Sequence, residues 1–278
     1  MSVLLVGFDS AWTARNSGAL VGATLDCDGR MRAIGPPLVA NFAQAEEAIS
    51  GWQEKHHPVR TLILIDQPTI VRNERSQRPV ENIVSSAISL RYGGMQPAYT
   101  GRQGMFDREA PIWRFLGRFA GAADLNAPRA RSLVIETYPA LTILARDWTL
   151  PDDQRPNTGR LPKYNPVRRT FRQEDWVGLC RRLKGYFDHR WGLEAISQWI
   201  ASAGQIAPCK PDQDCLDACL CLLVAIELAE GRECLVVGNQ DSGYIVVPAN
   251  ERLEDELAAR CERTKRDRQL WLRRFGLG

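Results

Sequence analysis

The sequence predicts an α/β protein whose sheet combines antiparallel and parallel strands. Three short apolar stretches, beginning near residues 3, 61 and 132, have the branched composition of strands that are buried on both sides. A helical segment separates the first of these stretches from the second, as in a right-handed crossover between parallel strands. The 278 residues are 44% hydrophobic and 25% charged, which is ordinary for a soluble globular chain.

The beginning of the chain predicts a meander of antiparallel strands. An apolar run from Val3 to Phe8 is followed by a second strand at 18–26, and the Asp28-Gly29 turn leads into a third strand at Met31–Ile34. Apolar residues at helical spacing predict the first helix from Phe42 to Lys55. We therefore expect the strand at 61–65 to return parallel to the first strand.

The rest of the chain is predicted to be one domain, residues 1–278, with insertions at about 69–106 and 148–205. Segments with helical patterns follow at 80–90, 111–123, 140–146, 176–187, 194–202 and 212–230, a hairpin at 235–237 and 244–247, and a closing charged helix from about Glu251 to Phe275. The long loop within the second insertion is rich in proline and charge, and loops of that length are usually functional or disordered.

Composition excludes several classes of protein. No run of eighteen apolar residues predicts a membrane span, and no signal peptide is evident, so we expect a cytoplasmic protein with its eight cysteines as thiols. The cysteine cluster at 209–221 has no Cys-x-x-Cys pair and no nearby histidine, so no zinc is expected. We expect no organic cofactor either. The sequence does not determine the oligomeric state.

Each of the three buried strands ends at a carboxylate. Asp9, Asp66 and Glu136 follow the first, the fourth and the last strand of the predicted sheet. Ligands of open α/β sheets bind outside the carboxyl ends of the strands. Taken alone, Asp9 is equally typical of a turn or capping residue, but the repetition of this pattern favours a ligand-binding site.

Two more carboxylates lie on the predicted helix at 212–230. Asp214 and Asp217 are three residues apart and project from one face of its first turn. Capping explains Asp214 as well as function does, whereas Asp217 lies in an apolar register where an unpaired charge costs several kcal/mol. A divalent cation is one partner for it, because Mg²⁺ and Mn²⁺ prefer carboxylate and water oxygens. No His-Glu-x-x-His or Gly-x-Ser-x-Gly motif offers a different hydrolytic site.

Several short motifs, in this order along the chain, carry a resemblance to a known family. They are Gly7-Phe8-Asp9-Ser10, Ile65-Asp66-Gln67-Pro68, Arg78-Pro79-Val80-Glu81, Glu136-Thr137-Tyr138-Pro139, Lys163-Tyr164 and Asp214-Cys215-Leu216-Asp217-Ala218. With them the chain resembles the predicted nucleases of ribonuclease H-like fold catalogued as domain of unknown function 429. The start of the late helix is also similar to that of Holliday-junction resolvases.

The resemblance implies both a fold and a site. The fold is a central mixed sheet of five strands, the first three antiparallel, with helices on both faces. Asp9, Asp66, Glu136 and Asp217 would be catalytic ligands of one or two Mg²⁺ or Mn²⁺ ions, and Asp214 a further ligand or base. Two such ions about 4 Å apart activate water and stabilise the leaving oxygen of a phosphodiester. The implied activity is divalent-metal-dependent hydrolysis of DNA or RNA.

Basic side chains near these motifs are candidates for binding the substrate. Arginine suits bidentate contact with phosphate, and lysine suits a point-charge contact. The candidates are Arg72, Arg75, Arg78, Lys163 and Arg168. A solvated loop surface explains each of them individually as well or better. The predicted partner is a nucleic acid of unspecified type, and no membrane.

Two other functions remain open on the sequence. The first is a phosphotransferase of the actin and sugar-kinase type, which places a Gly-rich phosphate-binding hairpin after its first strand. Here residues 9–13 contain no glycine, and the bulky Trp12 lies in that turn. The second is a non-catalytic nucleic-acid-binding module, against which the cost of unused buried carboxylates argues.

Overall fold

A mixed six-stranded sheet forms the centre of the protein in a computed structural model, which describes residues 2–88, 95–128, 130–156 and 158–277. Its strands are β1 (Ser2–Asp9), β2 (Gly18–Asp26), β3 (Met31–Ala33), β4 (Leu38–Ala40), β5 (Arg60–Ile65) and β6 (Ser132–Glu136). The order is β3-β2-β1-β5-β6, and β4 also pairs with β2. β1, β2 and β3 are antiparallel neighbours, whereas β5 runs parallel to β1 and β6 runs parallel to β5.

The predicted antiparallel meander and the parallel crossover are therefore confirmed. The short strand β4 was not predicted, and with it the sheet has six strands rather than five. β4 is three residues long and follows Pro36 and Pro37, so its apolar alternation is too brief to predict a strand.

Helices cover both faces of this sheet. They are α1 (Phe42–His56), α2 (Pro79–Ile88), α3 (Pro111–Arg118), α4 (Pro139–Ala145), α5 (Gln173–Asp188), α6 (Glu194–Ala203) and α7 (Lys210–Ala229). Side chains alternate along β1, so Leu4, Val6 and Phe8 pack with α1 and α3. Leu5 points to the opposite face, into the larger core that contains α2 and α4 to α7.

Most helix predictions hold to within a few residues, and one helix, α3, ends early. α3 stops at Arg118 rather than Ala123, because Ala120 and Gly121 both have positive φ (71° and 84°) and turn the chain away. α2 is described to Ile88, and residues 89 and 90 of its predicted range lie outside the described residues. No helix among the described residues has the length and apolar character needed to cross a bilayer.

The predicted hairpin is confirmed, but the single closing helix is wrong. β7 (Cys234–Asn239) and β8 (Gly243–Pro248) are antiparallel, and the chain ends as α8 (Glu251–Arg263), the short α9 (Arg268–Trp271) and β9 (Leu272–Phe275). β9 pairs antiparallel with β7, so the small sheet has the order β8-β7-β9.

A Schellman motif ends α8. The Arg266 amide donates to the Cys261 carbonyl (2.9 Å) and the Lys265 amide donates to the Glu262 carbonyl (3.0 Å). Lys265 has the positive φ of 55° that this motif needs. Glycine usually occupies that position, so the charged pattern gave no sign of the break.

The backbones of sheet and helix approach closely at Gly7, where α7 crosses β1. A Cβ atom on Gly7 would lie 2.1 Å from the Ala218 carbonyl oxygen and 2.4 Å from the Leu222 amide nitrogen. Only glycine permits this approach of helix backbone to strand backbone. The contact carries the neighbouring residue Asp217 toward the end of β1, where Asp9 follows Gly7 by two residues.

Replacement of Gly7 with alanine is expected to lower the free energy of unfolding by roughly 1–3 kcal/mol, because it overpacks this contact. Urea denaturation measures the change. Gly51→Ala is the matched control, because a Cβ there, on the exposed side of α1, meets no described atom within 4 Å. The control should gain up to about 1 kcal/mol. An unaltered denaturation midpoint for Gly7→Ala would contradict the tight packing.

Candidate functional site

A cleft of about 820 Å³ opens at the carboxyl ends of β1 and β5, beside the first turns of α7. Four of the five predicted acids line it: Asp9, Asp66, Asp214 and Asp217. The fifth, Glu136, is buried and does not belong to the lining. The expected convergence of carboxylates therefore occurs for the four aspartates.

The parallel register of β1 and β5 brings the first two aspartates together. Phe8 pairs with Ile65, so Asp9 and Asp66, the next residue of each segment, lie side by side at the ends of the two adjacent strands. The Asp66 amide continues the ladder by donating to the Phe8 carbonyl at 2.9 Å. Asp9 is 7% exposed, so its carboxylate is held in a largely dehydrated position at the floor of the cleft.

Asp217 has the partners that its burial demands. The Tyr164 hydroxyl donates to its Oδ1 (2.8 Å), and Nε2 of Gln213 donates to its Oδ2 (2.6 Å). Asp217 is only 4% exposed. Gln213 precedes it by one helical turn, whereas Tyr164 comes from the long loop before α5. This loop is thereby tied to the cleft.

The remaining acid of α7 is paired with a cation. Asp214 accepts a hydrogen bond from the Lys210 ammonium, one turn earlier on the same helix. The two residues lie at the mouth of the cleft, where the lysine side chain is 46% exposed and that of the aspartate 8%. Lys210 is therefore a cleft residue as well.

Burial, together with repulsion from neighbouring carboxylates, raises the pKa values of Asp9, Asp66 and Asp217. Burial, and next the charge of Asp217, hold the pKa values of Asp9 and Asp66 well above their ordinary range. Burial raises the pKa of Asp217 to about 6, while Lys210 and the hydrogen bonds from Tyr164 and Gln213 oppose this rise. Carboxylates this close together do not all ionise readily without added positive charge.

Glu136 lies in a separate ion-pair network behind the cleft. Arg78 donates to both of its oxygens, Nη1 to Oε2 at 2.9 Å and Nη2 to Oε1 at 2.6 Å, and the Thr69 amide donates to Oε2 at 3.1 Å. Glu81 accepts from Nε and from the backbone amide of Arg78. Burial raises the pKa of Glu136, and the Arg78 charge counteracts the rise.

The basic residues predicted to contact substrate occupy three different environments. Lys163 and Arg168 line the cleft, whereas Arg72 and Arg75 are exposed on the loop after β5 and do not. Arg78 is 0% exposed, so a contact with substrate does not fit its position. Its guanidinium instead joins Glu136 to α2, a structural role that the Arg-Pro-Val-Glu motif did not reveal.

The turn after β1 is built around Trp12. This residue adopts a φ of 63°, a left-handed conformation that glycine normally supplies. Its indole Nε1 donates to the Asp66 carbonyl at 3.0 Å, and its ring packs edge-on against Phe106 at a centroid distance of 5.4 Å. The tryptophan therefore ties the end of β1 to the end of β5 and to the loop at 95–110.

Sequence reasoning missed several side chains of the cleft. Gln213 lies at i−4 from Asp217, a spacing that could have indicated it. Lys210 is the first residue of α7. A cation at a helix N-terminus opposes the macrodipole, and this unfavourable position could have indicated a role for the lysine. Tyr138 and Arg15 also line the cleft, after the end of β6 and from the β1–β2 turn. Tyr138 belongs to the Glu136-Thr137-Tyr138-Pro139 motif but was given no role, and no pattern in the sequence distinguished Arg15.

The cysteine cluster near the cleft holds three buried thiols, Cys215, Cys219 and Cys221, whereas Cys209 is exposed. All eight cysteines are unpaired. Cys219 and Cys221 lie in the buried interior of α7, where burial raises the pKa of both thiols. Free cysteines in such positions behave as small apolar side chains.

The donors of the cleft fit Mg²⁺ or Mn²⁺ held in an open site. Within the described parts of the chain, no three His, Cys, Asp or Glu side chains are close enough to enclose an ion. Mg²⁺ commonly binds through only one or two carboxylates and completes its shell with water and substrate phosphate. Oε1 of Gln213 is buried with no described hydrogen-bond partner, which adds an unsatisfied oxygen beside Asp217.

The fold and cleft define a mixed α/β protein with an aspartate-lined site at the strand ends. The chain belongs to the family described as "Protein of unknown function (DUF429)", whose model matches residues 7–242. The matched range contains all the predicted acids and ends in the β7–β8 turn, before α8 and β9. No curated protein matches the chain.

Replacement of Tyr164 with phenylalanine is expected to lower the free energy of unfolding at pH 8 by about 1.5–3 kcal/mol, the range for hydrogen bonds to charged groups. At pH 4.5, where Asp217 is protonated, the loss should be smaller. Denaturant titrations at both pH values measure it. Tyr99→Phe, outside the cleft lining, is the control, and equal losses at both pH values would contradict a bond that favours the ionised carboxylate.

The pKa of Asp217 also predicts a pH dependence of stability in the absence of metal. Its folded pKa of about 6 lies above its ordinary 3.8, so the contribution of this group to the free energy of unfolding falls as pH rises from about 4 to about 6, by up to about 3 kcal/mol. Asp217→Asn should therefore gain stability relative to the parent across this window. Denaturant titrations in EDTA measure the difference.

Asp241→Asn is the control for this pH series, because Asp241 is exposed in the β7–β8 turn. It should follow the parent protein across the window. A constant difference between Asp217→Asn and the parent from pH 4 to pH 7 would show that the Asp217 carboxyl does not titrate there.

Proposed function

We propose that this protein is a divalent-metal-dependent nuclease with a ribonuclease H-like fold. One observation carries the proposal: buried Asp9 and Asp217 and half-buried Asp66 line one cleft, where burial and the charge of Asp217 hold the pKa values of Asp9 and Asp66 well above their ordinary range. Such an excess of buried negative charge is stable only when it is paired or binds cations. Hard oxygen donors select Mg²⁺ or Mn²⁺ among the common cations.

The sheet supports the fold part of this proposal. Three antiparallel strands followed by two parallel ones, in the order β3-β2-β1-β5-β6, match the arrangement that the family resemblance implies. The acids also come from the expected elements, the ends of the central strands and the start of a late helix. Fold alone does not imply function, so the argument for activity depends on the cleft.

Asp9 and Asp217 are the residues that would hold the cation, with Asp66 beside them. Bound there, a divalent cation supplies a Lewis acid and an activated water for phosphodiester hydrolysis. Tyr164 and Gln213 orient Asp217. Glu136, included among the ligands that the resemblance implies, has both oxygens engaged by Arg78, so we assign it a supporting role behind the site.

The rim of the cleft suits a polyanion. Lys163 and Arg168 come from the loop before α5, and Arg15 comes from the β1–β2 turn. Their positive charges flank the aspartates and would contact phosphates on either side of the bond to be cleaved. Binding through such contacts weakens steeply as salt is added.

The geometry around Trp12 counts against the phosphotransferase alternative. In that class a glycine-rich turn lets the backbone approach the phosphates, whereas here an indole fills the turn and donates to the Asp66 carbonyl. The non-catalytic alternative makes no use of the aspartates, so it predicts binding that is indifferent to their replacement.

Mg²⁺ or Mn²⁺ is expected to support cleavage of at least one nucleic acid in a panel of single-stranded, duplex and branched DNA and RNA. Asp9→Asn and Asp217→Asn should each reduce the rate at least about 100-fold, because they remove several kcal/mol of metal-dependent stabilisation. Asp241→Asn should match the parent. Gel-resolved cleavage with EDTA blanks measures the rates. Activity that survives both cleft substitutions would refute the assignment, and metal-independent binding without turnover would favour the binding module.

A further inference from the structure

Lys210 lies where helix energetics disfavour it. It is the first residue of α7, and the preceding Cys209 forms a capping box in which its amide donates to Asp212 at 2.8 Å. A cation at this end of a helix opposes the macrodipole. A lysine four residues before its acid is also the less favourable order of an i,i+4 pair. The reason for this lysine must therefore lie outside the helix itself.

The aspartate cluster provides that reason. The Lys210 charge lowers the pKa values of Asp9, Asp66 and Asp217, and it pairs directly with Asp214. In return, Asp9 and Asp214 help to raise the pKa of Lys210 against the effect of its partial burial. One ammonium thus interacts with all four aspartates of the cleft.

Lys210 also differs from Arg78, a cation that serves the buried carboxylate of Glu136. Arg78 and Glu136 have side chains only 0% and 2% exposed, and the arginine is held at every donor nitrogen. The Lys210 side chain is 46% exposed and lines the cleft. A compact, strongly hydrated ammonium on a flexible stem can leave its partner for water at little cost. Arg78 is a fixed counter-ion, whereas Lys210 is free to exchange.

We propose that Lys210 is an exchangeable counter-ion, whose ammonium neutralises the aspartate cluster in the metal-free protein and is displaced when a divalent cation binds. This inference rests on the cation site of the proposed function. It assigns to Lys210 a role beyond that site, because the lysine keeps the cluster folded without metal and sets the metal concentration at which the site fills. The ammonium is paired with Asp214 and lies in the same cleft as Asp9 and Asp217, so its positive charge opposes that of an incoming cation.

Calorimetric titration with Mn²⁺ alone, without nucleic acid, tests the competition. Lys210→Met and Lys210→Gln remove the charge, and each should bind Mn²⁺ with a dissociation constant roughly 10- to 100-fold lower than the parent's, because the repulsion between ammonium and dication is gone. Lys210→Arg keeps the charge and should stay near the parent value. Asp217→Asn identifies binding at this cleft, since it should abolish or greatly weaken the titration.

Lys184→Met is the matched control. Lys184 also pairs with an aspartate one helical turn later, Asp188, and is 40% exposed, but it lies on α5 outside the cleft. It should leave Mn²⁺ affinity unchanged. In EDTA at pH 8, the melting temperature should fall further for Lys210→Met than for Lys184→Met, and Mn²⁺ should reverse that deficit.

The outcomes separate this inference from the proposed function. Equal Mn²⁺ affinity in the parent and the neutral Lys210 variants, with loss of binding in Asp217→Asn, would overturn the counter-ion and leave the metal site standing. Weaker binding in the neutral variants would overturn it too, since the lysine would then assist the ion. Absence of Mn²⁺ binding in the parent and in every Lys210 variant would overturn both.

Discussion

The contact between α7 and β1 at Gly7 is the constraint on which the site depends. A Cβ there would lie 2.1 Å from the Ala218 carbonyl oxygen, so the strand and the helix are closer than any side chain on residue 7 would allow. Asp9 follows this contact on the strand, and Asp217 precedes Ala218 on the helix. The same packing that buries the apolar face of α7 therefore forces two carboxylates together. This one contact therefore determines both the stability of the fold and the geometry of the site. A substitution at Gly7 would alter both together.

The protein neutralises its buried carboxylates in two different ways. Glu136 has a complete set of partners, chiefly a fully buried arginine, and this arrangement resists change because breaking a buried pair leaves an uncompensated charge. The cleft aspartates have neutral donors, such as Tyr164 on Asp217, and one partly exposed lysine. Their charges are under-compensated, as the raised pKa values indicate. The fully paired network around Glu136 stabilises the fold. The incompletely paired aspartates of the cleft would leave oxygen atoms available to the cation of the proposed nuclease.

The sequence predicted the features that follow from local patterns and missed those that depend on pairing in space. Strand ends and apolar runs are local, so Asp9 and Asp66 could be assigned to one edge of the sheet. The role of Arg78 could not, because its partner Glu136 is distant along the chain and both residue types are equally at home on a surface. The end of α8 was missed because Lys265 adopts a conformation that its chemistry does not suggest. Lys210 was missed because a helix start predicts acids rather than bases.

Trp12 fills the turn after β1, where a phosphotransferase of the actin and sugar-kinase type would place glycine. A left-handed residue is needed there, and glycine would satisfy it and leave the backbone open to phosphates. Tryptophan satisfies it at a conformational cost, of about 1–3 kcal/mol for such strained positions, which the indole offsets through its hydrogen bond to the Asp66 carbonyl and its packing on Phe106. The indole therefore forms one side of the cleft that the aspartates line. In the proposed nuclease, a substrate would therefore be recognised by side chains and bound cations rather than by exposed backbone amides.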